Sequence, residues 1–271
     1  MPGDISVDES YDDYPRIEEA FQRRLDETLG PRGPESLWDL FARLEPAAGA
    51  VVVDVGCGEG EDAIELARRF DVRVIGVDPV RRHMDLGRER ANVAGVSGQV
   101  SFALGAAEQI PLDDGAADLV WSKEALMYAD LDAAFAEFRR VLHPGGRGFV
   151  YQVFTGQHMT DAEAPEFWRS FGAAANSVRP DDMERAIEAA HLLVTERIGF
   201  GSEWGESAQE RSGAPGRRLL HAARLLRAPA RYIDEFGETA YRIMLADCLW
   251  HIYRMIGKLH GALFIFQVPT A

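Results

Sequence analysis

Val51, Val52, Val53, Asp54 and Val55 make an almost unbroken β-branched run, and Gly56, Gly58 and Gly60 follow it at every second position. A run without apolar–polar alternation suits a parallel strand buried on both faces. A glycine turn after such a strand, with a helical pattern beyond it, predicts a strand–turn–helix unit. In an open α/β sheet that turn faces the ligand crevice, commonly one for a nucleotide-containing molecule. Glycine is needed there on two counts. The turn uses φ values that other residues avoid, and a Cβ would hold a ligand away from the backbone.

The turn departs from the dinucleotide-binding fingerprint, because one residue rather than two separates its second and third glycines. Glu59, Glu61 and Asp62 crowd the start of the following helix. Acids in a first turn complement the helix dipole whatever the ligand, yet three of them would repel a pyrophosphate seated at that N-terminus. A ligand carrying an ammonium and a sulfonium meets no such conflict. A second apolar run ends in Asp78, 24 residues after Asp54. A carboxylate at that place can accept hydrogen bonds from both hydroxyls of an adenosine ribose; the alternative is a helix-capping acid.

Four ordered blocks extend the pattern over residues 50–154: VVVDVGCGEG, VIGVDPVRRHMDLGRE, GAAEQIPLDDGAADLVWSKEALMY and FRRVLHPGGRGFVYQ. Together they resemble the class I S-adenosylmethionine-dependent methyltransferases, in particular the ubiquinone- and menaquinone-type and natural-product enzymes. The resemblance implies an α/β fold: a doubly wound, Rossmann-like, seven-stranded sheet with an antiparallel last strand and a helical cap. It implies S-adenosyl-L-methionine as cofactor and a small, hydrophobic or aromatic molecule as methyl acceptor, through O, N or C. By the same resemblance Gly56, Cys57 and Gly58 would set backbone groups against the methionine part of the cofactor. Asp54 would hold the turn and face the ammonium, Asp78 would bind the ribose, and Pro79 would lie against the adenine. Many relatives have Gly-Asp-Ala-Glu after strand three, with the aspartate reaching the adenine. This chain has Gly105-Ala106-Ala107-Glu108, so the adenine would turn to the Ala107 backbone or to Glu108. Trp121 to Glu124 would lie along the methionine end, with the Ser122 carbonyl accepting from the ammonium.

Alternating strand and helix patterns agree with a doubly wound sheet. Strands are expected at about 51–55, 73–77, 100–104, 117–121, 148–154, 192–199 and 262–268. Helices are expected at 59–70, 81–94, 131–142 and 180–190. Apolar spacings at Ile17, Phe21 and Leu25, and at Leu37, Leu40, Phe41 and Leu44, predict two leading helices separated by Pro31, Gly33 and Pro34. The chain of 271 residues then reads as one domain. It would have an N-terminal helical segment (1–44), a cofactor-binding core (45–154), substrate-cap insertions (155–178 and 202–257) and a final strand (258–271).

Two cysteines, Cys57 and Cys248, make neither a disulfide framework nor a four-cysteine zinc site, so a reducing, cytoplasmic setting is expected. No zinc-like ligand spacing occurs, and no metal is expected. The net charge of −15 argues against a nucleic-acid partner. No apolar stretch is long and uncharged enough to span a membrane. A homodimer is compatible with the sequence but not required by it. The charge is unevenly spread: residues 211–231 hold six arginines and no acid. That stretch reads as a solvated or acid-paired helix face, or as an attractor for an anionic small molecule.

Methyl transfer from a sulfonium needs alignment and exclusion of water, and a base only if the nucleophile starts protonated. The sequence therefore leaves the catalytic residue open. Tyr128, His158 and His251 are the principal candidates, with Glu124, Glu203, Tyr11 and Tyr14 behind them. Three rivals stand beside the methyltransferase reading. One is a nicotinamide oxidoreductase, disfavoured by the glycine spacing. Another is a non-catalytic cofactor-binding or regulatory protein, to which Ala106 lends some support. The third is different chemistry, such as cyclisation, on the same scaffold.

Overall fold

The computed structural model describes residues 6–27, 32–174 and 178–270, with the Tyr14 side chain outside the described set. Its core is a seven-stranded sheet of order β3-β2-β1-β4-β5-β7-β6. Helices α1 (Val7–Leu25) and α2 (Glu35–Ala42) precede β1 (Val51–Val55). Then come α3 (Glu61–Phe70), β2 (Arg73–Asp78), α4 (Arg81–Val93), β3 (Val100–Leu104) and β4 (Ala117–Lys123). A 3₁₀ turn at Leu126–Tyr128 leads to α5 (Leu131–Val141), β5 (Leu142–Thr155), α6 (Ala164–Phe171), α7 (Pro180–Ala189) and β6 (Leu193–Phe200). Four helices follow, α8 (Glu203–Ser212), α9 (Ala214–Arg227), α10 (Pro229–Phe236) and α11 (Glu238–Met255), before β7 (Leu259–Gln267).

Strands β1 to β5 pair in parallel, and β7 runs antiparallel between β5 and β6. The apolar run of β1 is buried on both faces, as its lack of alternation requires. One core cluster joins that sheet to α2, α3 and α4, and a second joins the other face to α5 and α7. Strand order reverses between β1 and β4, so the C-terminal ends of these two strands open a crevice.

Local chemistry explains the helix starts. Ser6 and Glu9 form a reciprocal capping box at α1. Asp130 accepts from the Ala133 N–H to cap α5. Pro180 occupies the first turn of α7, where it has no hydrogen bond to forfeit.

One expectation needs correction. His143-Pro144-Gly145-Gly146 does stop α5, but β5 begins at Leu142 instead of at Gly148. Between Ala117↔Leu142 and Leu119↔Arg147 the register of β4 on β5 slips, so β5 carries the extra Pro and Gly residues in a bulge. The leading segment is two helices, as its apolar spacings predict; Pro31 of the expected break lies outside the described residues. No helix among the described residues is long and apolar enough to cross a membrane.

Candidate active site

A crevice of about 380 Å³ opens at the strand-order reversal. Gly56, Asp78, Pro79, Ala107, Glu124 and Tyr128 are among its walls. The floor is set by the glycine turn. Gly56, Gly58 and Gly60 all have positive φ, at 77°, 51° and 81°. At Gly56 a Cβ would also fall 2.1 Å from that of Ala125.

Asp78 closes β2 and organises the turn. Its Oδ2 accepts from the Gly58 N–H at 3.0 Å, while Oδ1 accepts from the Val80 N–H and faces His83 Nδ1, both at 2.9 Å. One carboxylate thus ties the glycine turn to the start of α4 and keeps lone pairs for a ligand's hydroxyls. His83 also lines the crevice. Sequence reasoning missed it, although its place five residues after Asp78, in the first turn of α4, was the available signal.

Asp54 lies at the end of β1 with 2% of its surface exposed, and its Oδ2 has no hydrogen-bond partner. Burial, reinforced by the nearby Asp62 charge, raises its pKa well above the ordinary carboxylate value. A buried acceptor left bare beneath a glycine cradle fits a cationic guest that is absent from the chain itself. The residues present therefore suit the ammonium, ribose and close backbone approach of S-adenosylmethionine. A pH dependence follows. The folded pKa lies above the unfolded one, so Asp54 adds stability to the ligand-free protein at low pH. That contribution is lost as pH rises through the folded value. Cofactor affinity should move the opposite way, falling as Asp54 takes up its proton. Calorimetric titration with S-adenosylhomocysteine from about pH 8 down to about pH 5 checks this. An Asp54→Asn chain should flatten the pH trend; an unchanged trend would remove Asp54 from ligand binding.

The neighbouring acids are used differently from the expectation. Asp62 holds Lys123 Nζ at 2.6 Å and accepts from the Trp121 indole N–H at 3.2 Å, and Glu59 pairs with Arg90. Two of the three acids of the turn, Asp62 and Glu59, are thus spent on the protein's own partners, while the buried Oδ2 of Asp54 is left without one.

The other nominated residues separate. Ala107 and Glu108 line the crevice, but Glu108 Oε1 already accepts from the Asp130 N–H at 2.9 Å. Cys57 is buried against the Gly76 position, its thiol pKa raised by desolvation, so it is not a thiolate. The Ser122 hydroxyl donates to the Val55 carbonyl, bracing β4 against β1. Trp121 does not lie along the crevice. It is fully buried between Trp38 and Phe149. Leu126 and Met127 are core residues.

Of the three principal catalytic candidates only Tyr128 is on the crevice wall. Burial first, and the Glu124 charge second, raise its phenol pKa, which keeps the hydroxyl protonated. His158 lies against Gly257, where α11 meets β7. His251 sits half-buried on α11, its pKa lowered by desolvation. The Tyr14 side chain is outside the described residues.

A buried link joins the crevice to the cap. Arg254, in the last turn of α11 and 7% exposed, bonds Glu124 Oε1 at 2.9 Å and the Tyr151 hydroxyl at 2.6 Å. Its guanidinium lies over the Trp204 ring at 4.9 Å. Glu124, on the crevice wall, has φ 56°, a left-handed conformation uncommon for a side chain of this size. Arg254 therefore braces a strained residue. Separated by 130 residues, this pair left no sequence signal. Arg254→Met should lower stability by about 2–3 kcal/mol, the loss of charged hydrogen bonds to partly buried partners. It should also weaken S-adenosylhomocysteine binding about tenfold. Arg254→Lys should restore part of both, read by urea melts and calorimetry.

Comparisons with known proteins agree with this geometry. A family model described as a methyltransferase domain matches residues 52–146. The chain is 36% identical to methyltransferase GfsG of Streptomyces halstedii over 171 residues, which covers 62% of each chain. It therefore spans less than two thirds of that relative's length. It is 30% identical over 171 residues to O-methyltransferase rstn1 of Aspergillus nomiae, covering 63% of this chain and 76% of that one. Among solved structures, a putative sarcosine dimethylglycine methyltransferase from Galdieria sulphuraria superposes with a TM-score of 0.67. It covers 87% of this chain and 84% of its own at 18% identity, a likeness of fold. With strand order, glycine crevice and sequence relatives in agreement, the chain belongs to the class I S-adenosylmethionine-dependent methyltransferase family.

Proposed function

We propose that the protein transfers the methyl group of S-adenosylmethionine to a nucleophilic O, N or C atom of a small, apolar or aromatic molecule. The observation that carries this reading is the unpartnered, buried Oδ2 of Asp54 at the start of the glycine turn. S-adenosylmethionine supplies a sulfonium methyl, an electrophile with its own leaving group. The chain's part is to seat it and to place the acceptor in line. In this reading Asp54 takes the ammonium and Asp78 the ribose hydroxyls. Pro79 and Ala107 line the adenine end.

Tyr128, protonated at neutral pH, serves at the crevice wall as a hydrogen-bond donor that orients the acceptor, not as a base. An acceptor that ionises easily, or is already neutral and nucleophilic, needs nothing more. The aromatic character of the acceptor is inferred from the cap. Phe167, Trp168, Phe171 and Trp250 form a contiguous ring cluster. Arg254 connects that cluster to Glu124 at the crevice. Phe167 and Trp168 are buried core rings, so the cluster forms the apolar base of the cap beside the crevice and not a wall of it.

The test is mass spectrometry of metabolite extracts incubated with the protein and methyl-deuterated cofactor. A product carrying the labelled methyl group is the expected result. Tight cofactor binding with no labelled product across a broad panel would favour a regulatory protein or a different reaction. Failure to bind the cofactor at millimolar concentration would defeat the reading altogether.

A further inference from the structure

The cap holds a second cavity, of about 530 Å³, within the size range of small-molecule sites. It lies where α9, α10 and α11 splay apart. Arg218, His221 and Arg224 line it from α9, Tyr232 and Phe236 from α10, and Tyr241 from α11. The cavity is remote from the cofactor crevice. Tyr241 precedes Arg254 by 13 residues on one helix, which is roughly 20 Å along its axis. Arg254 is the residue that touches the crevice wall.

Two features of this cavity are unaccounted for by the fold. The first is charge. Arg218 is matched by Asp247 at 2.9 Å, whereas Arg224, exposed like Arg227 and Arg231, has no acidic partner among the described residues and is the one of these three that lines the cavity. The second is apolar surface. α10 buries none of its residues, and Phe236 is 62% exposed. A helix that presents aromatic rings to an unfilled cavity gains by burying them. The small core beneath, built on Ala222, Leu225 and Cys248, stops at Tyr232 and Tyr241. A guanidinium at the edge of an aromatic slot complements a guest that is both planar and anionic. A planar body fills the slot, and a carboxylate takes two parallel hydrogen bonds from the arginine.

We propose that this cavity is a ligand site for a small aromatic carboxylate, separate from the cofactor crevice. Arg224 holds the carboxylate with help from a His221 ring N–H, and Tyr232, Phe236 and Tyr241 enclose the ring system. The proposal does not depend on the methyl-transfer reading, since it concerns different residues and is read by binding alone.

Calorimetric titration of the full chain with 2-naphthoate tests it, with 2-naphthamide as the uncharged isostere. The expected result is saturable one-to-one binding of the acid, with the amide about tenfold or more weaker. Arg224→Gln should lose the acid-over-amide preference, and Phe236→Ser should weaken both ligands. Both variants should bind S-adenosylhomocysteine as the native chain does, which shows that they fold. Three results would overturn the proposal: no binding of naphthoate at millimolar concentration, equal affinity for the amide, or competition between naphthoate and S-adenosylhomocysteine. A fourth would assign the cavity to the chain's own acidic helix α1. It is photocrosslinking of a Phe21→benzoylphenylalanine chain to α9 or α10 without added ligand.

Discussion

Gly56→Ala should weaken S-adenosylhomocysteine binding about 100-fold, or about 2.7 kcal/mol, while the protein still folds. Two costs combine at this position. A non-glycine residue at φ 77° carries a penalty of roughly 1–2 kcal/mol. Its Cβ would also fall 2.1 Å from the Ala125 Cβ and 3.5 Å from the Ala125 Cα. Ala125 cannot retreat easily, because it enters the 3₁₀ turn whose Leu126 is fully buried. The glycine turn must move instead, and it is the floor on which the cofactor would rest. Gly58→Ala is the control. It has positive φ but no atom within 4 Å of the added carbon, so it isolates backbone strain from collision. Its loss should be about tenfold or less. Calorimetry decides the matter: a Gly56→Ala chain within about threefold of native affinity would mean that this turn is not the cofactor's seat.

Trp121→Ala should cost about 3–5 kcal/mol of stability, the range for removing a fully buried large aromatic. The indole is the middle of a three-ring stack. Trp38 lies at 5.0 Å with planes 3° apart, and Phe149 at 4.7 Å with planes 5° apart. Phe41 meets it edge-on at 5.4 Å. Truncation opens a cavity where α2 meets the sheet, and it removes the N–H that Asp62 accepts. Trp121→Phe keeps the stack but not that hydrogen bond, and should lose about 1–2 kcal/mol. Urea denaturation gives both values. If the alanine chain proved nearly as stable as native but failed to bind cofactor, Trp121 would belong to the site and not to the core.

Trp121 also shows where sequence reading reaches its limit. The block Trp121 to Glu124 was expected to lie along the cofactor. In the sheet, successive residues of a strand point to opposite faces. Trp121 therefore enters the core under α2, while the chain reaches the crevice only at Glu124, where φ turns positive. A linear motif gives order along the chain but not the face on which each side chain emerges. The acids after the glycine turn teach the same point. Their charge was legible, but the partners Lys123 and Arg90, which neutralise two of them, come from β4 and α4. Arg254, Glu124 and Tyr151 meet from three distant segments, and none is unusual in its own neighbourhood.

The sequence alone determined the parallel core. β-branched runs, glycine turns and amphipathic spacings are local, and local backbone preference and burial period suffice to set β1 to β4 and the helices between them. It also determined that an acid stands at the C-terminal end of each of these strands, Asp54 next to last in β1 and Asp78 last in β2, because those acids interrupt apolar runs. Only the tertiary structure decided that a buried oxygen of Asp54 is left without a partner, which aromatics are core and not cap lining, and that Arg218 is the cation of the arginine-rich stretch that meets an acid among the described residues. Those outcomes depend on pairing across the fold, where a charge is satisfied or stranded by residues far away in sequence. Electrostatic and packing partners are properties of the assembled chain.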